Sequence, residues 1–103
     1  MPFINPAQTV QDLRNAVEYL LEHPWIQGWN FDDRGGCCAY GAILVATGDP
    51  IKDDRAASAA RAFYRVIGRD VALFNDTPER TKDEVIAALV TVADTIERDP
   101  SRA

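Results

Sequence analysis

The fold of this chain is decided by residues 35–46, which read Gly-Gly-Cys-Cys-Ala-Tyr-Gly-Ala-Ile-Leu-Val-Ala. Two glycines lead into an apolar run, and this pattern predicts a helix over residues 37–47 with Gly48 as its stop. Because the run is apolar on nearly every side, we expect this helix to be central and buried. Gly41 in its interior costs about 1 kcal/mol relative to alanine, which indicates that a neighbouring group must approach closely there.

Three further segments have apolar residues at helical spacing, so we expect an all-α protein with four main helices. These segments span residues 10–22, 54–67 and 82–98. Thr9 with Asp12, and Thr81 with Glu84, have the spacing of capping boxes at the first and last of these helices. No repeat and no strand pattern is present, and the length suits a single domain over residues 1–103.

Composition restricts the class of protein. The chain has 103 residues, a net charge of −5 and 47% hydrophobic residues, which is typical of a globular protein and argues against general nucleic-acid binding. No apolar run reaches the ~18 residues that a membrane span needs. The first residues lack the basic and apolar segments of a signal peptide, so we expect a cytoplasmic protein that has no membrane contact.

The cysteines and the histidine bear on metal and cofactor binding. Cys37 and Cys38 are adjacent, and a disulfide between neighbours is strained. With His23 they make three Cys or His residues, whereas a structural zinc site takes about four ligands. No nucleotide-binding glycine motif is present. We therefore expect neither a metal nor another cofactor.

Cys37 has two interpretations. At the first position of a helix its pKa would be lowered, and it could act as a nucleophile with His23 as the base. The acidic residues that could orient the histidine are Asp32, Asp33 and Asp76. In the other interpretation, which we favour, both cysteines are small apolar residues in a tight helix junction.

Residues 69–80 connect the third and last helices, and residues 71–74 are suited to one further helical turn. Asn75-Asp76-Thr77-Pro78 is a turn and helix-start signal. We expect Asn75 and Asp76 to bind backbone amides and to fix the start of the last helix. The alternative is a polar pair that holds a ligand or a catalytic water.

Basic residues are concentrated between Lys52 and Arg69. This segment contains five basic residues and only two acidic ones, Asp53 and Asp54. Three arginines recur at every fourth position, which predicts one solvent-facing stripe on the third helix: Arg61, Arg65 and Arg69. This stripe is either a docking surface for an acidic partner, RNA or a nucleotide phosphate, or an ordinary solvated face.

A loop over residues 23–36 is rich in aromatic residues, namely Trp25, Trp29 and Phe31. Large aromatics in a loop are usually packed on the core. If two or more are exposed together, they indicate a protein-binding site, where tryptophan is a favoured anchor.

The chain resembles a family of small helical proteins of unknown function that is common in actinobacteria and their phages. The resemblance covers residues 25–89 and rests on four motifs: Gly28-Trp29, Cys37-x-x-x-Gly41-Ala42-Ile43, Asn75-Asp76, and Thr81-x-x-Glu84-Val85-Ile86-x-Ala88-Leu89. Family members usually have Trp where this chain has Phe74. The resemblance implies an actinobacterial or phage source and an accessory role, with no activity to transfer. It also implies that the Asn75-Asp76 turn lies against the start of the cysteine helix.

These observations favour a small, non-enzymatic interaction protein, phage-encoded and directed at a host protein. The alternatives are a cysteine-dependent hydrolase or acyl transferase, and a homodimer joined through residues 25–31. The residues to which we assign a structural role are Gly35, Gly36, Cys37, Gly41, Asn75, Asp76, Thr81 and Glu84.

Overall fold

The computed structural model describes residues 4–48 and 54–103, and within these ranges the protein is all-α. The helices are α1 (Pro6–Glu22), α2 (Ala39–Thr47), α3 (Asp54–Ile67), α4 (Val71–Asp76) and α5 (Lys82–Arg98), followed by a 3-10 turn at Pro100–Arg102. The described residues contain isolated β-bridges but no strand, so the predicted fold class is confirmed. Lys52 and Asp53, which contribute to the predicted charge pattern, lie outside the described residues.

The core lies where α1, α2, α3 and α5 meet. α1 packs against α2, α3 and α5, and α2 also contacts α3 and α4. Six of the nine residues of α2 are buried, in agreement with the apolar pattern. The largest apolar side chains that are fully buried include Leu13 and Leu20 of α1, Ile43 of α2 and Phe63 of α3.

The predicted start of the first helix is wrong, because α1 begins at Pro6 and Asn5 is its N-cap. The Asn5 side chain accepts a hydrogen bond from the Ala7 N–H at 2.8 Å. Proline suits this position, since its missing N–H would have no partner in the first turn. Thr9 and Asp12 therefore lie inside the helix and are buried instead of capping it.

The second helix also begins later than predicted. α2 starts at Ala39 and not at Cys37, and Cys38 is its N-cap, with Sγ accepting from the Gly41 N–H at 3.3 Å. Gly48 ends the helix in the left-handed region, as its sequence position indicated.

The ends of the later helices agree more closely with the sequence. α5 spans the predicted residues, and its capping box between Thr81 and Glu84 is formed. α3 ends at Ile67, and Gly68 follows with φ +84°. Arg69 thus lies beyond the helix, and the predicted stripe of three arginines on one helix is reduced to Arg61 and Arg65.

A buried carboxylate joins α1 to α3. Asp12 is fully buried and accepts two hydrogen bonds from the half-exposed guanidinium of Arg55, one of them from Nε at 3.1 Å. Gln8 donates to the same carboxylate at 3.0 Å. Since a buried charge without a partner is costly, this ion pair fixes how the two helices meet.

We expect Arg55→Gln to lower the free energy of unfolding by about 3 kcal/mol, because it leaves the Asp12 carboxylate buried without its cation. Urea unfolding followed by circular dichroism measures the change. Arg14→Gln is the matched control, since Arg14 pairs with the exposed carboxylates of Asp94 and Glu97 and its loss should cost less than about 1 kcal/mol. Equal losses in the two variants would contradict the assignment.

Candidate functional site

The segment between α1 and α2, residues 23–38, is named here the aromatic loop, and its two halves pair with each other. The Cys37 N–H donates to the Pro24 carbonyl and the Cys37 carbonyl accepts from the Ile26 N–H, each at 3.0 Å. The Cys38 N–H donates to the Asn30 carbonyl at 3.2 Å. Backbone pairing therefore folds the loop back on itself before α2 begins.

The side chain of Asn75, at the end of α4, holds the loop from outside, and we call this set of contacts the Asn75 clasp. Its Oδ1 accepts from the Trp25 indole N–H at 2.6 Å and from the Ala39 N–H at 2.9 Å. Its Nδ2 donates to the Ile26 carbonyl at 3.1 Å and to Asp76 Oδ1 at 3.0 Å. The carboxamide is fully buried and has all its hydrogen-bond capacity used.

Two more contacts complete the attachment of the loop to α4. Asp76 Oδ1 accepts from the Gly28 N–H at 2.9 Å. The Gln27 side chain donates to the carbonyls of Asn75 and Thr77, at 2.9 and 3.0 Å. Asn75 and Asp76 thus bind backbone amides as predicted, and their turn lies against the start of α2, as the resemblance implied. They do not fix the start of α5, so that part of the prediction is wrong.

Gly41 is required by the close approach of the loop backbone. A Cβ placed on it would lie 2.2 Å from the Asn30 carbonyl oxygen. The close approach inferred from the sequence is confirmed, although the approaching group is a backbone carbonyl of the loop. The backbone at Asn30, which lies between Trp29 and Phe31 in the sequence, is therefore packed directly against α2.

Asp32 stabilises the tip of the loop. Its Oδ1 accepts from the N–H groups of Arg34 and Gly36, at 2.9 and 2.7 Å. A Cβ on Gly36 would lie 2.9 Å from the same carboxylate, and Gly35 adopts φ +81°. The two glycines therefore let the chain turn around Asp32. The Asp32 carboxylate is used in these backbone contacts, and in the described part of the chain it forms no hydrogen bond with His23.

Burial opposes activation of both thiols. Cys37 is fully buried, and burial raises its pKa to about 11, opposite to the lowering expected at a helix start. The reason is that Cys37 precedes the helix and is enclosed by the loop. Burial also raises the pKa of Cys38, whose Sγ lies 3.6 Å from Asn30 Oδ1.

His23 is placed by α1. Its Nδ1 lies 2.9 Å from the Tyr19 carbonyl oxygen, and its ring stacks on the Tyr19 ring with centroids 3.8 Å apart. In the described part of the chain no hydrogen bond joins His23 to a cysteine or to Asp76. The three residues of the catalytic alternative instead contact different parts of the fold. Cys37 pairs with the backbone of the aromatic loop, His23 contacts Tyr19, and Asp76 accepts from the Gly28 N–H.

Two aromatic side chains of the loop remain exposed. Trp29 is 77% exposed and Phe31 is 45% exposed. Phe31 also lines a shallow depression of about 200 Å³ with Leu44, Val45 and Gly48. Trp25 differs from both, because it is half-buried and its indole belongs to the Asn75 clasp.

We name the exposed residues Trp29, Phe31 and Val45 the aromatic patch. Val45 was not predicted, since α2 is apolar on nearly every side and its sequence carries no sign of which side faces solvent. Trp29 and Phe31 are both exposed and stand two positions apart in the loop, which is the condition expected from the sequence for a protein-binding site.

The fold is that of a small all-α protein, and the Asn75 clasp holds its aromatic loop against α4 and the start of α2. Residues 5–95 match the family of unknown function DUF6197, and the chain belongs to that family. No curated protein and no solved structure matches it. In the described ranges no helix is long and apolar enough to cross a membrane, and no three Cys, His, Asp or Glu residues are grouped to hold a metal ion.

The Asn75 clasp makes a prediction about stability. We expect Asn75→Ala to lower the free energy of unfolding by about 3 kcal/mol, because it leaves the Trp25 indole N–H, the Ala39 N–H and the Ile26 carbonyl without their partner. Urea unfolding followed by tryptophan fluorescence measures this. The matched control is Asn15→Ala, which removes only an exposed hydrogen bond from Gln11. A loss for Asn75→Ala no larger than for the control would refute the clasp.

The burial of the thiols makes a prediction about reactivity. In the folded protein at pH 8 we expect iodoacetamide to leave Cys37 unmodified, because a pKa of about 11 leaves about one thiol in a thousand as thiolate. Ser101→Cys introduces an exposed thiol into the same molecule as an internal standard. Mass spectrometry of peptides compares the two rates, and urea should make them equal. Alkylation of Cys37 at the rate of the standard without urea would show that the thiol is accessible.

Proposed function

We propose that this protein is a non-enzymatic interaction module that binds another protein through the aromatic patch. The observation that carries the proposal is Trp29, which is 77% exposed on a loop held by its own backbone pairing and by the Asn75 clasp. A tryptophan presented on a rigid segment loses little conformational freedom on binding and buries a large area, which is the property of an interface anchor.

The charges around the patch favour a particular kind of partner. Asp32, Asp33 and Asp76 are exposed in or beside the loop. The cations there are Arg34 and Lys82, and Lys82 Nζ is engaged with the His23 carbonyl at 2.9 Å. An aromatic anchor with an acidic surround is complementary to an apolar pocket that has lysine and arginine at its rim. We propose such a protein surface as the partner.

The proposal includes a cytoplasmic location, an actinobacterial or phage source and a host protein as the partner. The source and the partner rest on the resemblance drawn from the motifs. Two free, adjacent cysteines support the location, since reducing compartments keep thiols unpaired. The cysteine-dependent alternative has weak support, because its nucleophile is buried with a raised pKa.

A comparison of two exposed apolar residues tests the proposal. Tagged wild-type protein, Trp29→Ala and Leu21→Ala are used to capture proteins from an actinobacterial lysate, and each captured protein is then purified for a binding measurement. Leu21 is the control, because it is exposed on α1 outside the patch. We expect one stoichiometric partner whose affinity falls by about 30-fold or more with Trp29→Ala and is unchanged with Leu21→Ala.

Two results would contradict the proposal. One is a partner that both variants bind equally well. The other is wild-type protein that sediments as a dimer and becomes a monomer with Trp29→Ala, which would make the patch a homodimer interface.

A further inference from the structure

The outer face of α3 carries an unusual charge for this molecule. Arg61, Tyr64 and Arg65 are exposed and stand at i, i+3 and i+4, so they lie together on one side of the helix. We call these three residues the α3 face. The helix contains three arginines and one acidic residue, Asp54, whereas the whole chain has a net charge of −5.

The arginines of the α3 face differ from those at helix contacts in how their charge is balanced, and they share the lack of a carboxylate partner with Arg34, Arg69, Arg98 and Arg102 in the described part of the chain. Arg14 pairs with carboxylates of α5, Arg55 pairs with Asp12, and Arg80 pairs with Glu84 while it covers the Phe74 ring. Among the described residues, Arg61 forms no ion pair. Arg65 donates from Nη1 to the main-chain oxygen of Ala103 at 2.7 Å, which orients its guanidinium and leaves other N–H donors available.

Tyr64 adds an apolar side chain beside the two cations. Its side chain is 59% exposed. A partner that covered the ring would therefore bury a large apolar area. Two guanidinium groups beside an exposed ring can bind two carboxylates and one apolar side chain at the same time. Arginine is suited to this, since its planar fork binds a carboxylate through two parallel hydrogen bonds.

We propose that the α3 face is a second binding surface, which takes an acidic helical segment of a partner protein. The carboxylates would stand at i and i+4 on the partner helix and match the spacing of Arg61 and Arg65. Charge complementarity selects this occupant. A nucleic acid is disfavoured because the face carries only two cations, whereas a nucleic-acid site neutralises several phosphates, and an exposed helix surface lacks the enclosure that small ligands need.

The test is a titration of the 15N-labelled full chain, followed by amide chemical shifts at low salt. The probe is an alanine-based helical peptide of about 16 residues with one leucine and two glutamates four residues apart. A second peptide has glutamine in place of both glutamates. We expect shifts centred on residues 57–69 with the first peptide, at least about tenfold weaker binding of the second, and weaker binding at high salt.

Charge-matched variants show whether the α3 face is responsible. The double variant R61Q/R65Q should lose binding of the glutamate peptide. R34Q/R98Q removes the same charge from exposed positions elsewhere and should retain it. Trp29→Ala should also retain it, so failure of this inference and failure of the proposed function can be told apart.

Several outcomes would overturn the proposal. They are the absence of shifts on α3, equal affinity for the glutamine peptide, and retained binding in R61Q/R65Q. Tighter binding of oligouridine than of the glutamate peptide would assign the face to nucleic acid. Concentration-dependent broadening of the α3 signals without peptide, lost in R61Q/R65Q, would assign it to a second copy of this chain.

Discussion

The buried carboxamide of Asn75 is the constraint on which the rest of the site depends. The first N–H groups of a helix have no partner within that helix. At the start of α2, the Ala39 N–H donates its hydrogen bond to Asn75 Oδ1 instead. The same oxygen holds the Trp25 indole, and the amide nitrogen holds the Ile26 carbonyl. One side chain thus joins α4, the aromatic loop and α2, and removing it would leave several buried polar groups unpaired at once.

The clasp also explains why burial, and not the start of a helix, sets the pKa of the two thiols. In the catalytic interpretation, the start of α2 would stabilise a thiolate. Instead, Asn75 Oδ1 accepts a hydrogen bond from the Ala39 N–H, and Cys38 Sγ accepts one from the Gly41 N–H. Cys37 precedes the helix, and its backbone pairs with the other half of the aromatic loop. The close contact between Gly41 and the Asn30 carbonyl seals the junction, so burial dominates and raises the thiol pKa values.

The charges of the protein are divided between its surfaces. Arginines at helix contacts are paired with carboxylates, as Arg55 is with Asp12, and serve the packing of the fold. The aromatic loop presents acidic residues around exposed rings, whereas the α3 face presents cations around Tyr64. In general, surfaces of opposite charge favour different partners, because a complementary potential attracts one kind of protein and repels another.

Helix type, the extent of α3 and α5, the Thr81 capping box and the need for a close approach at Gly41 could all be predicted from the sequence. They depend on local periodicity and on short-range capping, which neighbouring residues encode. The start of α1 is also encoded locally, by Asn5 as N-cap and Pro6 in the first turn, although the apolar pattern pointed to a later start. The burial of Asp12, the place of Cys37 outside α2 and the hold of Asn75 on Trp25 and Ile26 could not be predicted, although the family resemblance implied that the Asn75-Asp76 turn lies against the start of α2. Each depends on a contact between residues distant in the chain, and only the packed helices decide which buried polar group finds which partner.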